Sequence, residues 1–540
     1  MAEFFESITV EIRTGAGVWT DVTADVLASP APSGQIGIMG DGFLDRVAEP
    51  GTFKFSLNNS ESNANQTLGY YSDGGAGRSL LTSGGAPVRL GFTYSGATKY
   101  KWFGYIEPDG LTTTPGTLGA RRVDVSCIDW MGYVARYPLD FLAYATNKRI
   151  DEAAALVVAS LPSTRQPSNT EYYTGDYTFP DVFDVMKGET TATGEFNKLA
   201  ISEFGYIYTK GNGDDGLTLV VENKLKRFDT STDTSIPLAD EDNTSHLQLV
   251  NGSDELLLVN GTDKLLLVDT QTVSFGDSDL LVSGGAKFAY GKHYANYLKA
   301  SVTPRRVDAA ATTILWTMEA SIEVPAGQTV GPFRGRYRDP AGGASYVNGI
   351  EMVDPPVSGT DFQAFENADG TGTDRTAACE VTAEFGSAEV EYTIRNTGAS
   401  NFFTGGDIVF QVRGKGVYLY DSTDVILDFT NPGIGRVTVM FDMIYQSDPI
   451  EARRVLAASI YKDATETWTS CDAYPLLANK DGKNMMAFMY LEPGSRATFA
   501  ETMNDFDEPC FINGYKFKII GKEKVFWTPV LVRYDKVPIN

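Results

Sequence analysis

Between Phe196 and Asn223 a short amphipathic helix runs straight into a tight hairpin, and that junction commits this part of the chain to a small α+β unit. Phe196, Leu199, Ala200 and Phe204 recur at helical spacing on one face. An apolar run at 206–208, a Gly- and Asp-rich turn at 211–216 and a second apolar run at 217–221 complete the pattern of a β-hairpin. Such a unit is scaffold. None of its residues has the chemistry of a reaction centre.

Most of the remaining chain alternates at the period of a strand. Phe53, Phe55 and Leu57 alternate with Lys54 and Ser56, which predicts a half-buried strand ending at Asn58 and Asn59. Further strands are expected at 88–92, 101–106 and 123–128, separated by Gly, Pro and Thr turns. Residues 151–161 predict a helix through Ala154, Leu156, Val157 and Val158, stopped by Pro162. The aromatic, Gly-rich stretch 172–193 lacks periodicity and is expected to be a surface loop. Beyond Tyr294 the pattern is again strand, at 314–317, 320–324, 388–395, 408–414, 417–420 and 437–445. Ser447, Asp448 and Pro449 open a helix with Ala452, Val455, Leu456 and Ser459 inward. An apolar run at 485–491 and a C-terminal hairpin, 510–520 with 525–532, close the chain.

The fold class expected is therefore mainly β with small α+β parts, several barrel or sandwich domains in series. A chain of 540 residues exceeds what one core fills, which is roughly 250–300 residues. The expected order is a β-barrel (1–145), a small α+β domain of helices plus hairpin (146–230), an acidic linker with a hairpin repeat (231–290), a β-sandwich (291–435) and a C-terminal α+β or barrel domain (436–540).

The repeat is nine residues long and recurs within 247–285. Asn251-Gly252 and Asn260-Gly261 are hairpin turns, because both turn positions need positive φ. The strand between them is apolar on both faces, Leu256 and Leu258 on one and Leu257 and Val259 on the other. Such a ribbon must be covered, so Leu256, Leu257, Leu258, Val259, Leu265, Leu266 and Leu267 are expected at an interface, within the fold or between copies of the chain. A calcium site on Asp254 and Asp263 is the weaker reading, because the doubled glycines of calcium-binding nonapeptides are missing.

A formal charge of -25 without any basic run argues against specific nucleic-acid binding. Aromatics at 12% of residues suffice for packed cores, so disorder is not expected. No stretch reaches the roughly 20 apolar residues of a membrane span, and the N-terminal residues lack the basic and apolar regions of a secretion signal. Folding in a cytoplasm is expected. Cys127, Cys379, Cys471 and Cys510 have no metal or disulfide spacing and are expected to be buried thiols.

Chemistry-bearing patterns are scarce. His246 and His293 are the two histidines, too few for both a metal site and a general base. Nucleophile elbow, phosphate cradle and HExxH helix are all missing. Carboxylates at 214–215, 240–242 and 505–508 lie among turn formers, where solvation is the default over a glycosidase pair. No catalytic residue, cofactor or metal is expected. Phe362, Phe365, Phe402 and Phe403 are expected in a core, with a sugar-binding groove as the alternative.

Four segments, taken in order, resemble the central hub, or tail-tip, proteins of long-tailed siphophages. The first comprises 18–26, 45–63, 87–92 with 102–108, and 123–134. The second is the helix and hairpin 195–223, and the third runs from 294 through 314–330 and 365–376 to 390–421, including the Asn396-Thr397-Gly398 turn and Arg413-Gly414. The fourth is 448–460 with 511–532. The nine-residue repeat and the acidic stretch around Asp240 have no counterpart in the family pattern.

That resemblance implies a non-enzymatic virion protein, assembled in the bacterial cytoplasm. It also implies a homotrimer at the tail tip that closes the tail tube, stacked on a distal tail protein ring, contacting the tape-measure protein and linked to a tail fibre or receptor-binding protein. The competing expectations are a receptor-binding adhesin recognising a bacterial surface glycan and, last, a cell-wall hydrolase.

Overall fold

The computed structural model describes the chain except residues 1–4, 15–16, 83–84, 117–120, 141, 212–216, 228–233, 238–269, 282–284, 291, 293, 341–346, 431–432, 434, 466–468, 522–523 and 534–540. Its largest element is a twelve-stranded sheet in which both ends of the chain take part. The strand Ser33–Gly37 lies between Thr52–Asn58 on one side and the C-terminal strand Phe506–Ile520 on the other. Phe506–Ile520 is long enough to take Arg496–Glu501 and Ser33–Gly37 end to end along one edge, with Lys524–Arg533 along the other. The N-terminal side continues through Arg122–Asp129, Ala97–Thr114, Pro87–Tyr94, Ser7–Arg13 and Trp19–Asp21.

Alternation explains which face of this sheet is covered. Phe53, Phe55 and Leu57 point into a core that also holds Trp102, Tyr515, Phe517 and Trp527. Ser56 on the opposite face donates to Asp124 of the neighbouring strand. Of the six α-helices described, α1 (Arg78–Thr82), α2 (Trp130–Arg136), α3 (Ile150–Ala159), α4 (Ala192–Glu203), α5 (Pro449–Thr465) and α6 (Gly482–Tyr490), α1 adds Leu81 to the same core and α6 fills it. Its run of Met485, Met486, Phe488 and Met489 is apolar nearly all round and buried throughout. Asp481 caps it by accepting from the backbone N–H of Asn484.

Helices α2, α3 and α4 share a second core with the hairpin Tyr206–Lys210 and Thr218–Glu222. The predicted face of α4 is buried as expected, and Thr191 caps its start. The helix ends because Phe204 takes a left-handed conformation, φ +64°, which turns the chain into the hairpin. In α3, Ala154, Val157 and Val158 are buried, whereas Leu156 points outward.

The stretch 172–193 is no surface loop. Thr178–Val182 pairs antiparallel with Ala145–Arg149, and Phe179, Val182 and Phe183 are fully buried. Its aromatic residues close the second core from one side, a role that needs bulk at a few fixed points and therefore leaves no period to read.

Two further cores follow. Tyr297–Val302 pairs with Thr423–Asp428 and Thr438–Met443, and this three-stranded sheet is covered by Ala452, Val455 and Leu456 of α5. Between its strands the chain makes a sandwich. One sheet holds Arg305–Val307, Gln411–Leu419, Thr313–Thr317 and Asn348–Ile350, the other Thr329–Arg336, Glu389–Asn396 and Cys379–Phe385. Runs 408–414 and 417–420, expected as two strands, form the single strand Gln411–Leu419.

Candidate functional site

Several buried ionisable groups tie together segments that are far apart in the sequence. Lys101, in the N-terminal strand Ala97–Thr114, is fully buried and donates through Nζ to the Leu491 carbonyl at 3.0 Å and to Glu492 at 2.5 Å. Tyr515 donates to the second oxygen of Glu492, at 3.2 Å. Burial pushes the Glu492 carboxyl up to about 7 against the pull of Lys101, and pushes the Lys101 ammonium down. Three distant segments are thus tied at one point.

A second knot joins the α4 hairpin to the large sheet. Arg227 donates to Glu222 at 2.8 Å and to the side-chain oxygen of Asn513, and its guanidinium lies 3.5 Å from the centre of the Tyr206 ring. Arg46 lies 4.8 Å from the same ring and donates to the Phe204 carbonyl at 2.7 Å, so Tyr206 touches two buried cations. Tyr208 donates to the other Glu222 oxygen at 2.8 Å.

The third and fourth knots hold the smaller modules. Glu195 of α4 accepts from Tyr445 and from Lys198, and Arg305 at the entrance of the sandwich reaches Asp184 at 3.1 Å and the Ile444 carbonyl at 3.2 Å. Lys224 bridges Asp176 at 2.8 Å and Glu451 of α5 at 3.4 Å, while Arg454 binds both carboxylates from outside. Beside this cluster the Glu203 carboxyl, raised to about 8 by burial, accepts from the backbone N–H of Asp176.

A carboxyl near neutral pKa is a candidate general acid wherever substrate can reach it. Here none of the three qualifies. Glu492 is held by Lys101 and Tyr515, and Glu203 is buried behind Asp176. Asp129, raised to about 6 by burial, caps α2 by accepting from Gly132 at 3.0 Å and is fully buried. Their perturbation follows from structural burial. Among the described residues no group of three or more His, Cys, Asp or Glu side chains could hold a metal ion, and no helix is long and apolar enough to cross a membrane. Cys127, Cys379, Cys471 and Cys510 are buried free thiols.

The interface residues read from the repeat, Leu256, Leu257, Leu258, Val259, Leu265, Leu266 and Leu267, lie outside the described residues, as do Asp254, Asp263, His246 and His293. Phe362 and Phe402 are in the sandwich core, while Phe365 and Phe403 are half-buried and bridge backbone to backbone. The knots themselves escaped sequence reading. Lys101 and Arg227 look like ordinary strand and loop cations, and only their partners, hundreds of positions away in two cases, give them away.

No protein-family profile matches the chain, and no curated protein sequence does. Among solved structures it is similar to the tail protein from Neisseria meningitidis MC58, with a TM-score of 0.43 at 10% identity over 98% of each chain. It is similar to the 43 kDa tail protein of prophage MuSo2 from Shewanella oneidensis, with a TM-score of 0.45 at 10% identity over 98% of this chain and 100% of that one. A prophage tail protein from Listeria monocytogenes EGD-e gives 0.38 at 8% identity, over 96% and 94%.

Proposed function

We propose that this chain is a structural protein of a phage tail, the central hub at the tip of a long non-contractile tail, where it closes the tube and links it to fibres or receptor-binding parts. The observation that carries the reading is the large sheet. The first and last segments of the chain share its strands and its core, and buried cations join the modules strung between them: Arg227 joins the α4 unit to the large sheet, Arg305 the sandwich to the α4 unit, and Lys224 joins α5 to the α4 unit. Force on any module therefore passes through paired strands and ion knots, as a hub that transmits force requires. The four-segment resemblance points the same way.

Assembly as a homotrimer, with a distal tail protein ring above, the tape-measure protein inside and a tail fibre or receptor-binding protein attached, completes the proposal. The leucines of the repeat supply an intersubunit contact. The formal charge of -25 suits a lumen that DNA passes without sticking, since like charges repel over roughly a Debye length of 8–10 Å.

Mass measurement in solution, together with detection of the chain in purified virions by position-specific antibody labelling, tests the reading. A trimer labelled at the tail tip supports it. A lone monomer absent from particles, or turnover of a wall polymer by the pure protein, overturns it.

A further inference from the structure

The two sheets of the sandwich leave a groove of about 720 Å³ between the strands Thr313–Thr317 and Thr329–Arg336. That is within the roughly 300–1,000 Å³ of small-molecule sites. Each of these strands has a sheet partner on one side only. The groove is lined by Trp316, Phe333 and Tyr392, with Glu319, Arg334 and Arg338 among its charged residues.

The aromatic wall is rigid. Tyr392 is buried, with its ring centre 5.2 Å from that of Trp316 and 5.6 Å from that of Phe333. The indole lies against Gly335 so closely that a Cβ there would come within 2.5 Å of it, so glycine is what admits the ring. Trp316 stays half-exposed, and its Nε1 has no hydrogen-bond acceptor among the described residues. The buried Tyr392 ring thus backs a partly open indole whose donor has no acceptor among the described residues.

Charge decides what the platform would take. Arg338 pairs with Glu319 at 3.3 Å and Arg334 with Glu391 at 3.1 Å, so the rim has no surplus positive charge for a phosphate or an acidic sugar. An extended peptide fits poorly. Strand addition needs a row of free N–H and C=O groups, whereas the Leu315 carbonyl already accepts from the Arg338 N–H and Pro332 has no N–H. A lipid chain would strip water from the charged rim without replacing its hydrogen bonds.

We infer that this groove binds a neutral oligosaccharide. One apolar C–H face of a pyranose stacks on Trp316 and Phe333, and its hydroxyls bond to the paired guanidinium and carboxylate groups and to Trp316 Nε1. The site is independent of the hub assignment, since a hub without it and a sugar-binding chain outside a tail are both coherent.

The full-length protein, screened on an array of neutral hexose and N-acetylhexosamine oligosaccharides, gives at least one binder, followed by titration of that sugar with tryptophan fluorescence. Trp316→Ala weakens binding about tenfold or more, the scale of one stacking contact. Glu319→Ala weakens it severalfold with an unchanged melting temperature, because that side chain is 81% exposed. The second variant decides the matter if the first fails to fold. The inference is overturned if no neutral sugar binds, if binders are confined to anionic sugars or peptides, or if neither substitution weakens binding.

Discussion

Replacing Lys101 by methionine tests whether the two ends of the chain are one folding unit. Lys101 belongs to the N-terminal strand Ala97–Thr114 and Glu492 follows α6, 391 positions later. The Lys101 side chain is fully buried and that of Glu492 is 12% exposed, so solvent screens the pair weakly. Above the pH of about 7 to which burial raises Glu492, removing the ammonium leaves that carboxyl either to stay charged without its partner or to take up a proton, at a cost of about 3–5 kcal/mol. For a cooperative unit of roughly 150–250 residues, each kcal/mol lowers the melting temperature by about 2–4 °C. Lys101→Met should therefore lower the transition of the large-sheet core by roughly 6–20 °C. The double variant Lys101→Met with Glu492→Gln leaves no stranded charge and should recover at least half of that loss. Calorimetry on the wild type, both single variants and the double variant measures the coupling. A single-variant shift below about 2 °C, or a double variant no more stable than the sum of the singles, would refute the argument.

Three further outcomes follow from the same geometry. Glu203 is held up at about 8 by burial, against about 4.3 in an unfolded chain, so the folded state keeps a proton that the unfolded one releases between those values. Stability should fall as pH rises through that window. Glu203→Gln, which keeps an acceptor for Asp176, should flatten the dependence and melt higher than wild type near pH 8, as thermal scans across pH would show. Gly494 has φ +88°, and a Cβ there would fall 1.8 Å from the Tyr208 hydroxyl, so Gly494→Ala should cost at least about 1–3 kcal/mol and loosen the Tyr208–Glu222 bond, read by the melting temperature. Asn396 is buried, donates to the Val324 and Ser400 carbonyls and accepts from Gly398, so Asn396→Ala should cost about 1–3 kcal/mol and speed amide exchange at Gly398, while exchange in the large sheet stays unchanged.

Much of the local structure was legible. The α4 hairpin unit follows from one face of spaced apolar residues and two flanking runs, the start of α5 from Asp448 and Pro449, and Thr52–Asn58 from strict alternation. Each signal lies within about a dozen residues, the range over which backbone geometry alone links sequence to shape. The stretch 172–193 failed that test because Phe179 and Phe183 fill a cavity made by other segments. The candidate sites were less legible still. Trp316 reads as one more strand aromatic until Gly335 and Tyr392 are brought against it from the facing sheet.

Residue order by itself determined that the chain is mainly β, the places of α3, α4 and α5 and of a number of its strands, and that it lacks the familiar motifs of catalysis. These depend on local periodicity, turn chemistry and composition, which every short window displays. Tertiary structure alone decided that Phe506–Ile520 would lie beside Ser33–Gly37, that Lys101 would meet Glu492, and that the sandwich would stay open along Trp316. Strand edges are chemically alike, since any N–H can meet any C=O. Which edges pair is settled only when whole faces are buried together, and that choice is made across the full length of the polypeptide.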